Sequence, residues 1–210
     1  VLFSNKSFNQ RQLLSWHWVK LTLSIAALAP FITMVWGVIH NSLGADPARA
    51  LALETGRWSI WFLLVSLSIT PLRELFRLSK IAPLRRTFGL FSLFYASLHF
   101  LVYVLFLLEM RWSEIGSDIL ERPYITVGFA AFLILALLGA TSPKSIVRAL
   151  GRKWRVIHRL VYLAILLAIV HVTWILRTDV FDAVLYASIT VLLLGYRLNK
   201  SMRKISRSSL

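Results

Sequence analysis

The sequence predicts an all-α integral membrane helical bundle of six transmembrane helices with both termini cytoplasmic. Three observations predict it: an apolar composition, apolar runs of spanning length, and a one-sided distribution of Lys and Arg. Of the 210 residues, 58% are hydrophobic and mean hydropathy is +0.70, too apolar to clothe a soluble domain with a polar surface. Spans of about 20 residues each consume nearly the whole chain. No Gly-rich turn follows a strand, so the nucleotide-binding fingerprint of a self-sufficient NAD(P)H reductase is missing.

In chain order, the apolar runs are 16–39, 58–75, 88–108, 124–140, 157–176 and 181–196. The first is too long, too aromatic and too poor in a small-residue cleavage site for a removable signal peptide, so it is a helix of the mature protein. The domain reading is a cytoplasmic tail at 1–15, a six-helix domain at 16–198 and a basic cytoplasmic tail at 199–210. Both tails are polar and basic, suited to lie on the membrane or stay disordered.

The net charge of +15 would suggest nucleic acid in a soluble protein, but here its placement reads as topology. With the N-terminus inside, the inner segments carry Lys6, Arg11 and Lys20, then Arg73, Arg77, Lys80, Arg85 and Arg86. They continue with Lys144, Arg148, Arg152, Lys153, Arg155 and Arg159, and end with Arg197, Lys200, Arg203, Lys204 and Arg207. The outer side holds only Arg49, Arg57, Arg111, Arg122 and Arg177. Basic residues stay on the cytoplasmic side of short loops, which puts both termini of this multi-pass chain inside. The partners are lipid headgroups rather than nucleic acid. Arg85 and Arg86, at the inner mouth of the third span, are placed to meet a propionate or a phosphate.

The chain has no cysteine, which removes disulfides, thiolate metal sites, iron–sulfur clusters and covalently attached heme. Redox chemistry must run through non-covalent or histidine-ligated cofactors. Of five histidines, His17 and His40 fall at the ends of the first span, where headgroup water reaches them. His99 and His171 lie about 17 and 21 Å into the third and fifth spans at 1.5 Å per residue. Both spans run outward, so the two imidazoles reach matched depth. Buried ionisable groups in a membrane are expensive and point to function, and two facing imidazoles suit the axial positions of a six-coordinate b-type heme.

His158 lies 13 residues before His171, about 20 Å along a helix but rotated roughly 140° on a straight one. Its counterpart 13 residues before His99 is Arg86, not an ordinary iron ligand. A second heme, a propionate or quinone oxygen, or a helix cap are all open to His158. Tyr103 and Tyr162, one turn beyond His99 and His158, are candidates to line a heme face or bond a propionate.

Several strings together carry a family resemblance. They are Leu43-Gly44-Ala45-Asp46-Pro47, Thr55-Gly56, Ile69-Thr70-Pro71-Leu72, Arg86-Thr87-Phe88-Gly89-Leu90, Ala96-Ser97-Leu98-His99, Arg122-Pro123-Tyr124-Ile125-Thr126-Val127-Gly128, Trp154-Arg155-Val156-Ile157-His158-Arg159-Leu160-Val161-Tyr162 and His171-Val172-Thr173-Trp174. In this order the sequence resembles the heme-binding membrane subunit of the bacterial periplasmic methionine sulfoxide reductase system (MsrQ, formerly YedZ). The resemblance implies a ferric-reductase-like fold in the inner membrane and an electron-transfer subunit rather than the subunit that reduces methionine sulfoxide. It implies electrons drawn from the quinone pool and passed to a periplasmic molybdopterin-containing reductase that repairs oxidised envelope proteins. It also implies heme b, one or two, on His99, His158 and His171, and FMN. Related reductases use four histidines, so Arg86 departs from the wider pattern. The outer loops at 41–57 and 109–123 are the expected docking surface. Two other classes fit the residues alone: a quinol or ferric-reductase-type cytochrome with another partner, and a transporter or assembly protein whose buried histidines relay protons.

Overall fold

The computed structural model describes residues 4–175 and 180–208, with side chains over 16–175 and 180–203. The expected contributions of Arg177, and of the side chains of Lys6, Arg11, Lys204 and Arg207, lie outside the described residues. Six helices are long and apolar enough to cross a membrane, and no strand occurs among the described residues.

The chain divides into two compact units, Val1–Pro47 and Ala48–Leu210. The first holds helix α1 (Ser4–Ile39). Its end is a tight turn in which the Ser42 N–H donates to the Gly37 carbonyl at 3.0 Å. A Cβ on Gly37 would stand 2.6 Å from Leu43 Cδ2, so a larger residue there would make the Leu43 side chain shift.

The second unit begins with α2 (Pro47–Leu75), which starts eleven residues before the apolar run expected at 58. Pro47 suits the first helical turn, and the Ala- and Leu-rich stretch that follows is a strong helix former. The charges that depress hydropathy there are paired: Arg57 meets Glu54 and Asp182, each at 3.2 Å. Residues 48–57 are therefore helix and not the loop expected there.

Next come α3 (Leu84–Val102), prolonged by a π turn at Tyr103–Leu107, and the short α4 (Ile115–Glu121). α5 (Pro123–Ala140) leads to the short α6 (Lys144–Leu150). Gly151, at φ +52°, then turns the chain into α7 (Arg152–Ile157). A 3-10 turn at His158–Leu160 separates α7 from α8 (Val161–Ile175). α9 (Val180–Ser208) runs on past its apolar part, so the backbone of the basic segment is helical as far as Ser208.

The helices alternate in direction, giving the unit a mixed-charge end, where α2, α5 and α9 begin, and a basic end, where α3 and α7 begin. Its core joins Leu63, Leu64 and Leu67 of α2 and Ala96 of α3 to Leu135 of α5, Ile165 of α8 and Tyr186 of α9. Small and polar contacts draw the backbones together, as in other membrane bundles. The Ser59 hydroxyl donates to the Ser92 carbonyl and the Ser92 hydroxyl to the Ser59 carbonyl, at 3.0 and 2.9 Å. α2 and α9 run parallel and are stapled at both ends, by Arg57–Asp182 at 3.2 Å and Lys200–Glu74 at 2.5 Å.

Candidate cofactor site between two helical hairpins

The α2/α3 hairpin supplies His99 and the α5–α8 hairpin supplies His171. Nδ1 of His99 lies 2.8 Å from the Ala52 carbonyl oxygen, and Nδ1 of His171 lies 2.6 Å from the Tyr124 carbonyl oxygen. A carbonyl can only accept, so each Nδ1 carries the hydrogen and each Nε2 keeps its lone pair for a ligand. A backbone carbonyl on the second nitrogen is the usual way to orient an imidazole that binds a metal.

Both hairpins build this contact in one way, with 47 residues between the acceptor carbonyl and the histidine in each. Four residues after each carbonyl stands a glycine. A Cβ on Gly128 would lie 2.6 Å from Cε1 and Nδ1 of His171, and one on Gly56 would lie 3.2 Å from Nδ1 of His99. The missing side chain is what lets each ring reach the backbone of its partner helix. Thr55, whose hydroxyl donates to the Leu51 carbonyl at 2.7 Å, flanks His99 at 3.4 Å.

The two rings meet with centroids 6.1 Å apart and planes at 82°. Two imidazoles trans to one metal ion, with nitrogen–metal bonds of about 2.0 Å, place their centroids about 6 Å apart. The spacing, the free Nε2 atoms and the glycines thus fit a bis-imidazole heme. Among the described residues no group of three or more His, Asp or Glu side chains is placed to hold a metal ion, so the pair stands without carboxylate help.

His158 differs. Its Nε2 lies 3.2 Å from the Thr141 hydroxyl oxygen, and that hydroxyl already donates to the Leu137 carbonyl at 2.8 Å. His158 is therefore the donor, and Nδ1 keeps the lone pair. Trp154 stacks on the ring at 4.1 Å, with its N–H on the Thr141 carbonyl at 3.0 Å. His158 and His171 both bond α5, although a straight helix would turn them apart. The 3-10 turn at His158–Leu160 winds more tightly than an α-helix and takes up part of that rotation.

His158 opens onto a cavity of about 1110 Å³ at the basic end. Arg85, Arg86, Lys144, Arg148, Arg155 and Arg159 line it, with Tyr162 and no Asp or Glu. Arg85 and Arg86 thus face a space able to take an acid-bearing ligand. At the mixed-charge end, Pro123, Tyr124, Trp174 and Ile175 surround a hollow of about 480 Å³.

Tyr103 is committed elsewhere: its hydroxyl donates to Asp118 at 2.5 Å, and Asp118 pairs with Arg122 at 3.0 Å. His40 stacks on Trp36 at 3.8 Å, and His17 is exposed. Sequence reasoning missed the Ala52 and Tyr124 carbonyls, the two glycines as ring seats, and Thr141. The shared 47-residue spacing is the signal that would have found the first four.

Residues 55–169 match the family model described as ferric reductase like transmembrane component. The chain is 41% identical over 189 residues to the protein-methionine-sulfoxide reductase heme-binding subunit MsrQ of Xanthomonas euvesicatoria pv. vesicatoria, covering 87% of each chain. It is 43% identical over 181 residues to the protein of that name from Bordetella parapertussis, covering 85% of this chain and 88% of the relative. The chain belongs to the MsrQ family. The ferric-reductase-like match contains Gly56, His99, Gly128, Thr141 and His158 and stops just short of His171. The likeness to MsrQ proteins spans most of the chain, in keeping with the motifs read from the first helix to the fifth.

Proposed function

We propose that this chain is a b-type cytochrome of the bacterial inner membrane. It draws electrons from the quinone pool and passes them to a periplasmic molybdopterin-containing protein-methionine-sulfoxide reductase, supporting repair of oxidised envelope proteins. The observation that carries this reading is the His99–His171 pair, 6.1 Å apart with each Nδ1 bound to a backbone carbonyl. The relatives' name, heme-binding subunit of such a reductase, supports the cofactor class and the partner. A chain without cysteine holds heme without covalent attachment, which supports the b type.

When bound, heme supplies reversible one-electron transfer at its iron. His99 and His171 would hold it, one from each hairpin, and ligation by two imidazoles would favour electron transfer over oxygen chemistry. The Ala52 and Tyr124 carbonyls fix the tautomers and make each Nε2 a stronger donor. At the other end, the cavity cations bind the phosphate of FMN or the propionates of a second heme, with His158 at its wall. Basic loops on the cytoplasmic side set the orientation, so the His99–His171 pair lies toward the periplasm. The outer segments at 41–57 and 109–123 are the proposed docking surface for the partner.

The test is a dithionite-reduced minus oxidised visible spectrum of purified protein, with heme and flavin quantified per chain. His99→Ala and His171→Ala are expected to abolish one b-type component, and His158→Ala to remove or shift a component of the cavity end. A parent protein matured with heme supply yet colourless would overturn the reading and favour the transporter class.

A further inference from the structure

α2 contains Pro71, which has no N–H and therefore leaves the Leu67 carbonyl without its helical partner. Arg197 of α9 supplies the missing donor: its Nη2 lies 2.6 Å from the Leu67 oxygen. Tyr186 meets Trp61 at 5.4 Å and Lys200 meets Glu74 at 2.5 Å, so Leu67 stands level with a point on α9 well before Arg197. The side chain thus reaches back into the bundle instead of out to the basic surface, the reverse of ordinary snorkelling.

The guanidinium is more than this one bond requires. Its Nε and Nη1 are buried without a hydrogen-bond partner, and among the described residues no carboxylate pairs with it. Glu74, the acid of this end, is held by Lys200 at 2.5 Å and Tyr196 at 3.0 Å. Tyr186 and Thr190, also on α9, bring hydroxyls without partners and no charge. Arg85, which lines the basic cavity, has the same sign. The guanidinium carbon sits 5.0 Å from the centroid of the Tyr162 ring, and Tyr162 lines the basic cavity. A desolvated cation without an acid is costly, and its field is weakly screened.

We propose that Arg197 is a positioning residue of the basic cavity, holding Tyr162 on the wall and favouring added negative charge on an electron carrier bound there. This rests on the reading of the cavity as a cofactor site. In the step concerned, a bound carrier would take one electron from a quinol, which is oxidised to the semiquinone and gives its proton to water at the basic end; no bond to the protein forms or breaks. The added negative charge is stabilised by the unpaired guanidinium behind Tyr162. The carrier is an acid-bearing redox group, a flavin mononucleotide or a heme, and the cavity-end signal distinguishes them.

The experiment is a redox titration of the purified full chain, following the component sensitive to His158→Ala and the component sensitive to His99→Ala separately. Arg197→Gln is expected to lower the midpoint potential of the cavity-end component and leave the other in place, with Arg197→Lys returning it toward the parent. Pro71→Ala restores a backbone N–H to the Leu67 carbonyl, so Arg197→Gln in that background removes the charge while the helix keeps its bond; the same selective shift is expected there. No shift in the doubly substituted protein, or an equal shift of both components, would overturn the inference. A parent with a His99-dependent signal but no cavity-end component would overturn the cavity reading itself, and this inference with it.

Discussion

The two ends of the helical unit solve one problem differently. At the mixed-charge end, two hairpins bring the same parts: a carbonyl, a glycine four residues on, and a histidine 47 residues from the carbonyl. At the basic end the matching positions diverge into an exposed Arg86 and a half-buried His158, whose partner is a side-chain hydroxyl. The free nitrogen differs as well, Nε2 in the symmetric pair and Nδ1 in His158. Backbone carbonyls on rigid helices fix the tautomer and aim of each ring in the pair, whereas His158 is held by the side chains of Thr141 and Trp154 beside a large basic cavity.

The comparison breaks most sharply at the glycines. Gly128→Ala places a Cβ 2.6 Å from two ring atoms of His171, so the ring must leave the Tyr124 carbonyl. Loss of most heme and a stability cost of about 3 kcal/mol are expected, read by heme per chain and thermal unfolding. Gly56→Ala, at 3.2 Å from His99 Nδ1, is milder: most heme is kept, with a cost of about 1 kcal/mol. Equal effects at the two glycines would mean that ring seating is not their role.

A smaller effect sharpens the other end. Trp154→Phe removes the indole donor to the Thr141 carbonyl but keeps an aromatic ring over His158, costing about 1 kcal/mol. The cavity-end signal is expected to shift while the His99-dependent signal stays, in reduced-minus-oxidised spectra. The smallest effect belongs to the Ser59–Ser92 clasp. Replacing both serines with alanine is expected to cost about 0.6 kcal/mol per bond in denaturant unfolding and to leave both spectra unchanged.

The six spans, and the common level at which His99 and His171 meet, were legible in the sequence because lipid enforces apolar runs along the chain itself. Where side chains elsewhere neutralise charge, hydropathy fell short: α2 starts at Pro47 because Arg57 has Glu54 and Asp182 beside it. The 3-10 turn at His158–Leu160 also lacks a Gly or Pro to announce it, so a straight helix was expected. Arg197 was grouped with the inner basic residues and instead turns inward to the carbonyl that Pro71 frees.

The sequence by itself determined that this is a six-span membrane chain without thiols, with two deep histidines and a basic set of loops. It also determined the family, through motifs that run the length of the chain. These properties are carried by residue type and position alone. Only the tertiary structure decided which imidazole nitrogen is free, why Gly56 and Gly128 are needed, and where the guanidinium of Arg197 comes to rest. Each of those depends on a backbone carbonyl of a distant helix, and a carbonyl has no identity in sequence until folding brings a donor to it.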